Sequence, residues 1–248
     1  MEITYPYIDN IPMKLYKTDH AVGTIVAVHG FGGSKESNAI SLLAEQADKK
    51  ALNVLTFDLP AHGERNETAD QLSVSQCIWE LITAEKYAKE LGSELYAFAT
   101  SFGGMCMLHR LEERSDEFKK IVLRVPAVNM SESMVDISRL TDSKFSMEAA
   151  KECGFKIKLG REYDIPYRFY EELLDLHCMR YSEAWNSSRI LTIYAENDEL
   201  VKASATEKFL SCNPLISSHC IKACGHRMAQ PYQLAEAIDK AMDFLLSE

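Results

Sequence analysis

The sequence predicts an α/β fold: a mostly parallel central sheet flanked by helices, with one small insertion past its middle. Two observations carry this. Short apolar runs such as Gly23-Thr24-Ile25-Val26-Ala27-Val28 alternate with longer stretches of helical periodicity, as expected of strands buried on both faces. The alternation then breaks between Ala127 and Ser188, where amphipathic pieces and aromatic residues replace it. On such a sheet, reactive groups belong at the carboxyl ends of the strands.

Taken in order, the residues up to about Lys17 predict a short antiparallel edge. The run 23–28 is a buried strand, and it ends in His29-Gly30-Phe31-Gly32-Gly33-Ser34, a glycine-rich turn leading to a helix over 35–50. Residues 53–57 form the next strand, followed by Asp58-Leu59-Pro60-Ala61-His62-Gly63. A helix over 73–91 carries Ile78, Leu81, Ile82 and Tyr87 near helical spacing. The strand 94–99 runs into Ala99-Thr100-Ser101-Phe102-Gly103-Gly104, and a helical run over 105–111 follows. Later strands end at Leu123-Arg124-Val125-Pro126-Ala127, span 189–195 and span 217–223, and the last helix covers 231–247.

Residues 127–188 read as a cap inserted within the one domain that spans 1–248. Its amphipathic pieces are 147–153 and 168–179, and its aromatics include Phe145, Phe155, Tyr163, Tyr167, Phe169, Tyr170, Tyr181 and Trp185. These rings either line an acyl or aryl pocket or pack the cap onto the core, and packing is the expectation for any single one.

Ser101 carries the chemistry of this reading. A serine on so tight a strand-to-helix turn is held in a strained conformation, and only small neighbours such as Ala99 and Gly103 fit two residues either side. The pattern is short, and a serine-capped helix start would look the same; the rest of the chain separates the two. A nucleophilic serine needs a histidine base and a carboxylate to orient it. His226 follows the strand 217–223 on a loop, and the strand 189–195 runs into Glu196-Asn197-Asp198-Glu199-Leu200-Val201. Asp198 is preferred to Glu196 because it lies further out on the loop, just before the apolar Leu200 and Val201. The strand after the nucleophile helix offers no carboxylate until Glu132, which argues against an acid there. The backbone N–H groups of Phe31 and Phe102 are the expected oxyanion hole.

With these four ordered motifs, the chain resembles an α/β-hydrolase over essentially its whole length. It is most similar to small bacterial cinnamoyl or feruloyl esterases and to monoacylglycerol lipases. The resemblance implies a carboxylesterase-type serine hydrolase that needs no cofactor and acts on a small-molecule ester; the insertion's Tyr and Phe, with few continuous aliphatic stretches, point to a short acyl or aryl group. Thr100 departs from the pattern, since relatives usually carry His or another residue before the serine. Two alternatives stay open: a thioesterase, amidase or peptidase with the same triad, and a non-catalytic ligand-binding α/β-hydrolase.

The remaining composition agrees. A net charge of −10 disfavours nucleic acid or an anionic membrane surface as partner, and no apolar run approaches the roughly 20 residues of a membrane span. The start, Met1-Glu2-Ile3-Thr4-Tyr5-Pro6, lacks a basic then apolar pattern, and the seven scattered cysteines suggest a reducing cytoplasm rather than a disulfide framework. A homodimer is compatible with the sequence. His219, Cys220, Cys224 and His226 lie close together, but strand alternation sends the first two to opposite faces, so no metal site is expected. His29 and His62 are expected to line or brace the pocket, whereas His20, His109 and His177 are expected on the surface or on helix faces.

Overall fold

The edge of the sheet forms first in the chain. The computed structural model describes residues 1–65, 69–92, 94–113, 117–159 and 161–247. Strands β1 (Glu2–Thr4), β2 (Tyr7–Ile8) and β3 (Ile11–Lys17) pair antiparallel. Asp9 and Asn10 turn the chain between the last two with positive φ of 50° and 65°, a conformation that Asp and Asn tolerate better than most residues.

The α/β alternation follows as β4 (Gly23–Val28), α1 (Asn38–Asp48), β5 (Leu52–Phe57), α2 (Val74–Leu91), β6 (Glu94–Thr100), α3 (Phe102–Glu113) and β7 (Phe118–Arg124). Next come α4 (Met130–Thr141), α5 (Met147–Cys153), a hairpin of β8 (Phe155–Leu159) and β9 (Arg161–Ile165), and α6 (Tyr167–Asp175). The chain then returns to the sheet with β10 (Ile190–Ala195), α7 (Ala203–Cys212), β11 (Ser217–Ile221) and α8 (Pro231–Leu245). Serine side chains start the helices: Ser37 accepts the Ile40 N–H and Ser73 the Gln76 N–H.

The main sheet has the order β1-β3-β5-β4-β6-β7-β10-β11, and every pairing from β5 onward is parallel. The chain runs outward from β4 to β5, then crosses back to lay β6 on the other side of β4. The loops leaving β4 and β6 therefore diverge, and they open a crevice between them. The turn at His29 and the turn at Ser101 are the two sides of that crevice.

Side chains alternate between two cores. Ile25, Phe98, Val122 and Ile193 join α1 and α8 on one face, while Val26, Ala97, Ile121 and Leu123 join α2 and α3 on the other. The segment between β7 and β10 belongs to the second core. Phe155, Phe169, Leu173 and Trp185 are all buried in it, and the Trp185 indole N–H donates to the Leu108 carbonyl at 2.7 Å.

Two local expectations change. The helix foreseen from residue 35 begins at Asn38, because the Lys35 N–H and ammonium both turn to Asp58 and Ser37 takes the cap. The β8–β9 hairpin was not foreseen, although Phe155-Lys156-Ile157-Lys158-Leu159 alternates apolar and charged residues with the period of a half-buried strand.

Candidate active site

Ser101 stands between β6 and α3 with φ at +51°. A non-glycine residue there is strained, and surrounding contacts must hold it. Its N–H donates to the Arg124 carbonyl at 2.9 Å, and its carbonyl accepts the Met105 and Ala127 N–H groups at 3.1 and 3.0 Å. The small neighbours are required by space: a Cβ on Gly103 would meet the His29 carbonyl at 2.5 Å, and Ala99 is fully buried.

A continuous hydrogen-bonded chain reaches this serine. His226 Nε2 lies 3.0 Å from Ser101 Oγ, and its Nδ1 lies 2.8 and 3.0 Å from the two Asp198 oxygens. Asp198 and His226 are buried, whereas Ser101 is half-buried at the wall of a cavity. The Asp198 carboxylate also accepts the Leu200 and Val201 N–H groups at 2.9 and 2.7 Å, which fixes its rotamer. Glu196 points elsewhere. It accepts the Ala223 N–H at 3.0 Å and pairs with Lys222 at 2.9 Å. Glu199 takes the His226 backbone N–H at 3.0 Å.

The loop after β4 crosses beside the serine. A Cβ on Gly30 would come within 3.0 Å of the Ser101 Cβ, so the backbone leading to Phe31 passes close to the hydroxyl. Phe102 opens α3, and its N–H is among the donors a helix start leaves unused. The Phe31 and Phe102 rings touch at 5.8 Å between centroids, and Tyr163 and Phe169 of the inserted segment pack on them at 5.1 and 5.8 Å.

Beneath this loop, His29 is buried with Nδ1–H directed at the Gly30 carbonyl (2.8 Å) and Nε2 accepting the Leu59 N–H (3.0 Å). Burial lowers its pKa, against the hydrogen bond to Gly30 and the Asp58 charge, so it acts as a neutral brace. Asp58 pairs with Lys35 at 2.7 Å and accepts the N–H groups of Lys35 and Glu64 at 2.8 and 3.1 Å. Burial alone would raise its pKa, but these partners hold it below the usual carboxylate value. His62 is buried against Phe31 and Tyr163.

A cavity of about 690 Å³ opens over Ser101. Its walls are aliphatic, including Leu42, Met130, Ile137, Leu159 and Leu200, and among the aromatic residues expected in the insertion none lines it. Phe155, Tyr163, Phe169 and Trp185 face the core instead, as the packing alternative required. The cavity also includes Thr100 and Arg124, neither of which the sequence had marked as part of the site. An arginine at the end of the apolar run Ile121-Val122-Leu123 was the available signal. Arg124 is paired in register with Thr100, and its Nε donates to the Thr100 hydroxyl at 3.4 Å.

The other flagged residues have structural partners. His219 pairs with Glu236 at 2.7 Å, and the Cys224 thiol points to the Gly225 carbonyl at 3.3 Å. His109 lies on a face of α3, as expected, but a buried one under the insertion, with Nε2 2.9 Å from the Leu176 carbonyl. His20 and His177 are exposed.

Comparisons place this architecture. No curated protein sequence matches the chain. Est1E from Butyrivibrio proteoclasticus, solved with ferulic acid bound, superposes with a TM-score of 0.74 at 18% identity, covering 99% of this chain and 100% of its own. A putative hydrolase from Agrobacterium vitis S4 gives 0.80 at 14% identity over 98% of both chains. The monoacylglycerol lipase of Paleococcus ferrophilus gives 0.66 at 19% identity, covering 99% of this chain and 98% of its own. These likenesses show the α/β-hydrolase fold. The model of the serine aminopeptidase S33 hydrolase family matches residues 19–159, more than half of the 248 residues, and the chain therefore belongs to that family of α/β-hydrolases.

Proposed function

We propose that this protein hydrolyses carboxylic esters through an acyl-enzyme on Ser101. The observation that carries the reading is the unbroken chain Asp198, His226, Ser101, with contacts of 2.8 and 3.0 Å, ending on a serine at positive φ. In this reading Ser101 Oγ attacks the ester carbonyl as His226 Nε2 takes its proton. The N–H groups of Phe31 and Phe102 hold the negative charge that develops on the carbonyl oxygen. His226 then returns the proton to the departing alcohol, and water attacks the acyl-enzyme by the same route in reverse. Asp198 keeps the imidazole in the tautomer with Nδ1–H, so that Nε2 is free to act as base. No cofactor takes part in these steps.

Residues 127–188 serve as the cap of this site, with their aromatics fastening it and their aliphatic residues facing the substrate. The cavity of about 690 Å³ falls within the 300–1,000 Å³ common for small-molecule sites. It suits a short acyl or aryl ester better than a lipid-length chain.

A second reading keeps the triad and cleaves an amide, as the aminopeptidase name of the family suggests. An aminopeptidase must receive a substrate ammonium, and this cavity instead contains a buried arginine. That favours the ester. The test is a fluorophosphonate probe, with the labelled peptide identified by mass, alongside p-nitrophenyl esters and aminoacyl p-nitroanilides. Labelling of Ser101 with turnover of esters alone is the expected result. Turnover of anilides alone would replace the ester with the amide, and an unlabelled Ser101 would leave a ligand-binding protein.

A further inference from the structure

Arg124 is a charged residue lining the cavity over Ser101. It ends β7 with only 8% of its surface exposed, and its Nη1 has no hydrogen-bond partner among the described residues. Within those residues no carboxylate lies in salt-bridge reach of it. Asp198, the acid whose charge it feels, is already occupied by His226 and by the N–H groups of Leu200 and Val201. Burial lowers the guanidinium pKa to about 10, partly offset by the fields of Cys224 and Asp198, so it is cationic at neutral pH. A buried cation without a counter-charge costs several kcal/mol, and proteins rarely keep one without a use.

Its position suggests that use. Arg124 lies directly across from Thr100 in the β6–β7 register, and its own carbonyl receives the Ser101 N–H. Arg124 is thus one strand away from Ser101 and lines the same cavity. Thr100 takes the Nε donor and so fixes the plane of the guanidinium, while Nη1 is left over. Thr100 thereby acquires a role in holding the arginine.

We propose that Arg124, oriented by Thr100, is a specificity residue that binds a carboxylate on the substrate, so that the preferred ester carries a second, ionised acid group; this rests on the esterase reading. A carboxylate matches the planar fork of a guanidinium with two parallel hydrogen bonds, which a point cation would not provide. The aliphatic walls then hold the carbon skeleton between the ester and the acid. Substrate charge also fits the protein's own balance: with a net charge of −10, only a local cation can recruit an anion to this site.

The test compares matched esters. The carboxylate is placed on the acyl side in mono-p-nitrophenyl glutarate, against neutral p-nitrophenyl butyrate, and on the alcohol side in 4-acetoxybenzoate, against its methyl ester. In the wild type, one of the two anionic esters should exceed its neutral partner in kcat/KM by roughly ten- to a hundredfold, the worth of a good charge-assisted pair. That ratio should collapse towards one in Arg124→Gln, shrink in Thr100→Val and recover only in part in Arg124→Lys. If Arg124→Gln does not fold, the wild-type ratios still decide. A wild type that prefers the neutral ester in both pairs overturns the proposal, and so does an Arg124→Gln variant that loses both members of a pair equally, since the arginine would then act on the triad. Should Ser101 react with the phosphonate while no anion preference appears, the esterase reading stands and the subsite falls. Should no ester turn over, the esterase reading falls, and thermal protection of the wild type but not of Arg124→Gln by glutarate decides the subsite alone.

Discussion

The carboxylate of Asp58 fills the space where any side chain on residue 63 would begin. Gly63 has φ of +57°, and a Cβ built there would collide with the carboxyl group of Asp58. The Asp58-Leu59-Pro60-Ala61-His62-Gly63 turn is therefore a device for burying the Lys35–Asp58 pair below the His29 loop. Gly63→Ala should cost about 3 kcal/mol, because it adds strain at positive φ and displaces a buried ion-pair partner. Urea unfolding measures it; a loss below about 0.5 kcal/mol, the scale of an ordinary surface change, would mean that the turn relaxes at little cost.

Strain at Ser101 gives a second prediction. Ser101→Ala and Ser101→Gly remove the same hydroxyl, and each should lower kcat by about 10⁴-fold or more. Their stabilities should differ. With φ at +51°, glycine escapes a penalty that alanine retains, so Ser101→Gly should be the more stable by about 1 kcal/mol. Equal melting temperatures would show that the elbow stores no such strain.

The carboxylates beyond β10 can be ranked. Asp198→Asn should cost roughly 10²- to 10⁴-fold in kcat by favouring the wrong imidazole tautomer. Glu196→Gln, whose side chain pairs with Lys222 and the Ala223 N–H at an exposed turn, should leave kcat within about threefold, as a surface change would. Steady-state kinetics on one ester, with folding checked by circular dichroism, would reject the assignment if the order were reversed.

Acid stability should carry the mark of the buried histidines. Burial lowers the pKa of both His29 and His109 from the ordinary value of 6.5, chiefly by desolvation. As the pH falls through 6.5 the unfolded chain takes up these protons first. Their contribution is therefore complete above that pH and declines below it, until the lowered folded values are reached, by up to about 1.4 kcal/mol per pH unit for each ring. Denaturant midpoints measured from pH 7.5 to 5 should fall, and His109→Gln should make the slope shallower. An unchanged slope would mean that burial does not lower the proton affinity of His109 in the native state.

Much of this architecture was readable from local pattern. The strands at 23–28 and 94–99 are apolar runs with no competing periodicity, and Ser73 and Pro231 mark helix starts by their own chemistry. The spacing of Ser101, Asp198 and His226 along the chain placed each on a loop at the same sheet edge, and there the three meet. What escaped depended on tertiary direction. Phe155 to Leu159 alternates like a strand, yet it lies among helical pieces, and only its pairing with β9 reveals it. Arg124 looks like an ordinary strand end until the register with Thr100 turns it into the cavity. Aromatics of the inserted segment, such as Phe169, have no sequence mark that tells an inward ring from a cavity-facing one; burial alone decides it.

The insertion grips the residues beside Ser101 from two sides. Tyr163 and Phe169 clamp the rings of Phe31 and Phe102, and the Ser133 hydroxyl donates to the Leu200 carbonyl, two residues past Asp198, at 2.7 Å. A lid that swung away would have to break these contacts, and it would take the backbone donors and the acid loop out of alignment as it left. The doorway is consequently part of the workbench. An enzyme held in this way would have no closed form for an oil–water boundary to pry open, so its rate should rise smoothly with dissolved ester and show no jump where the substrate begins to form droplets.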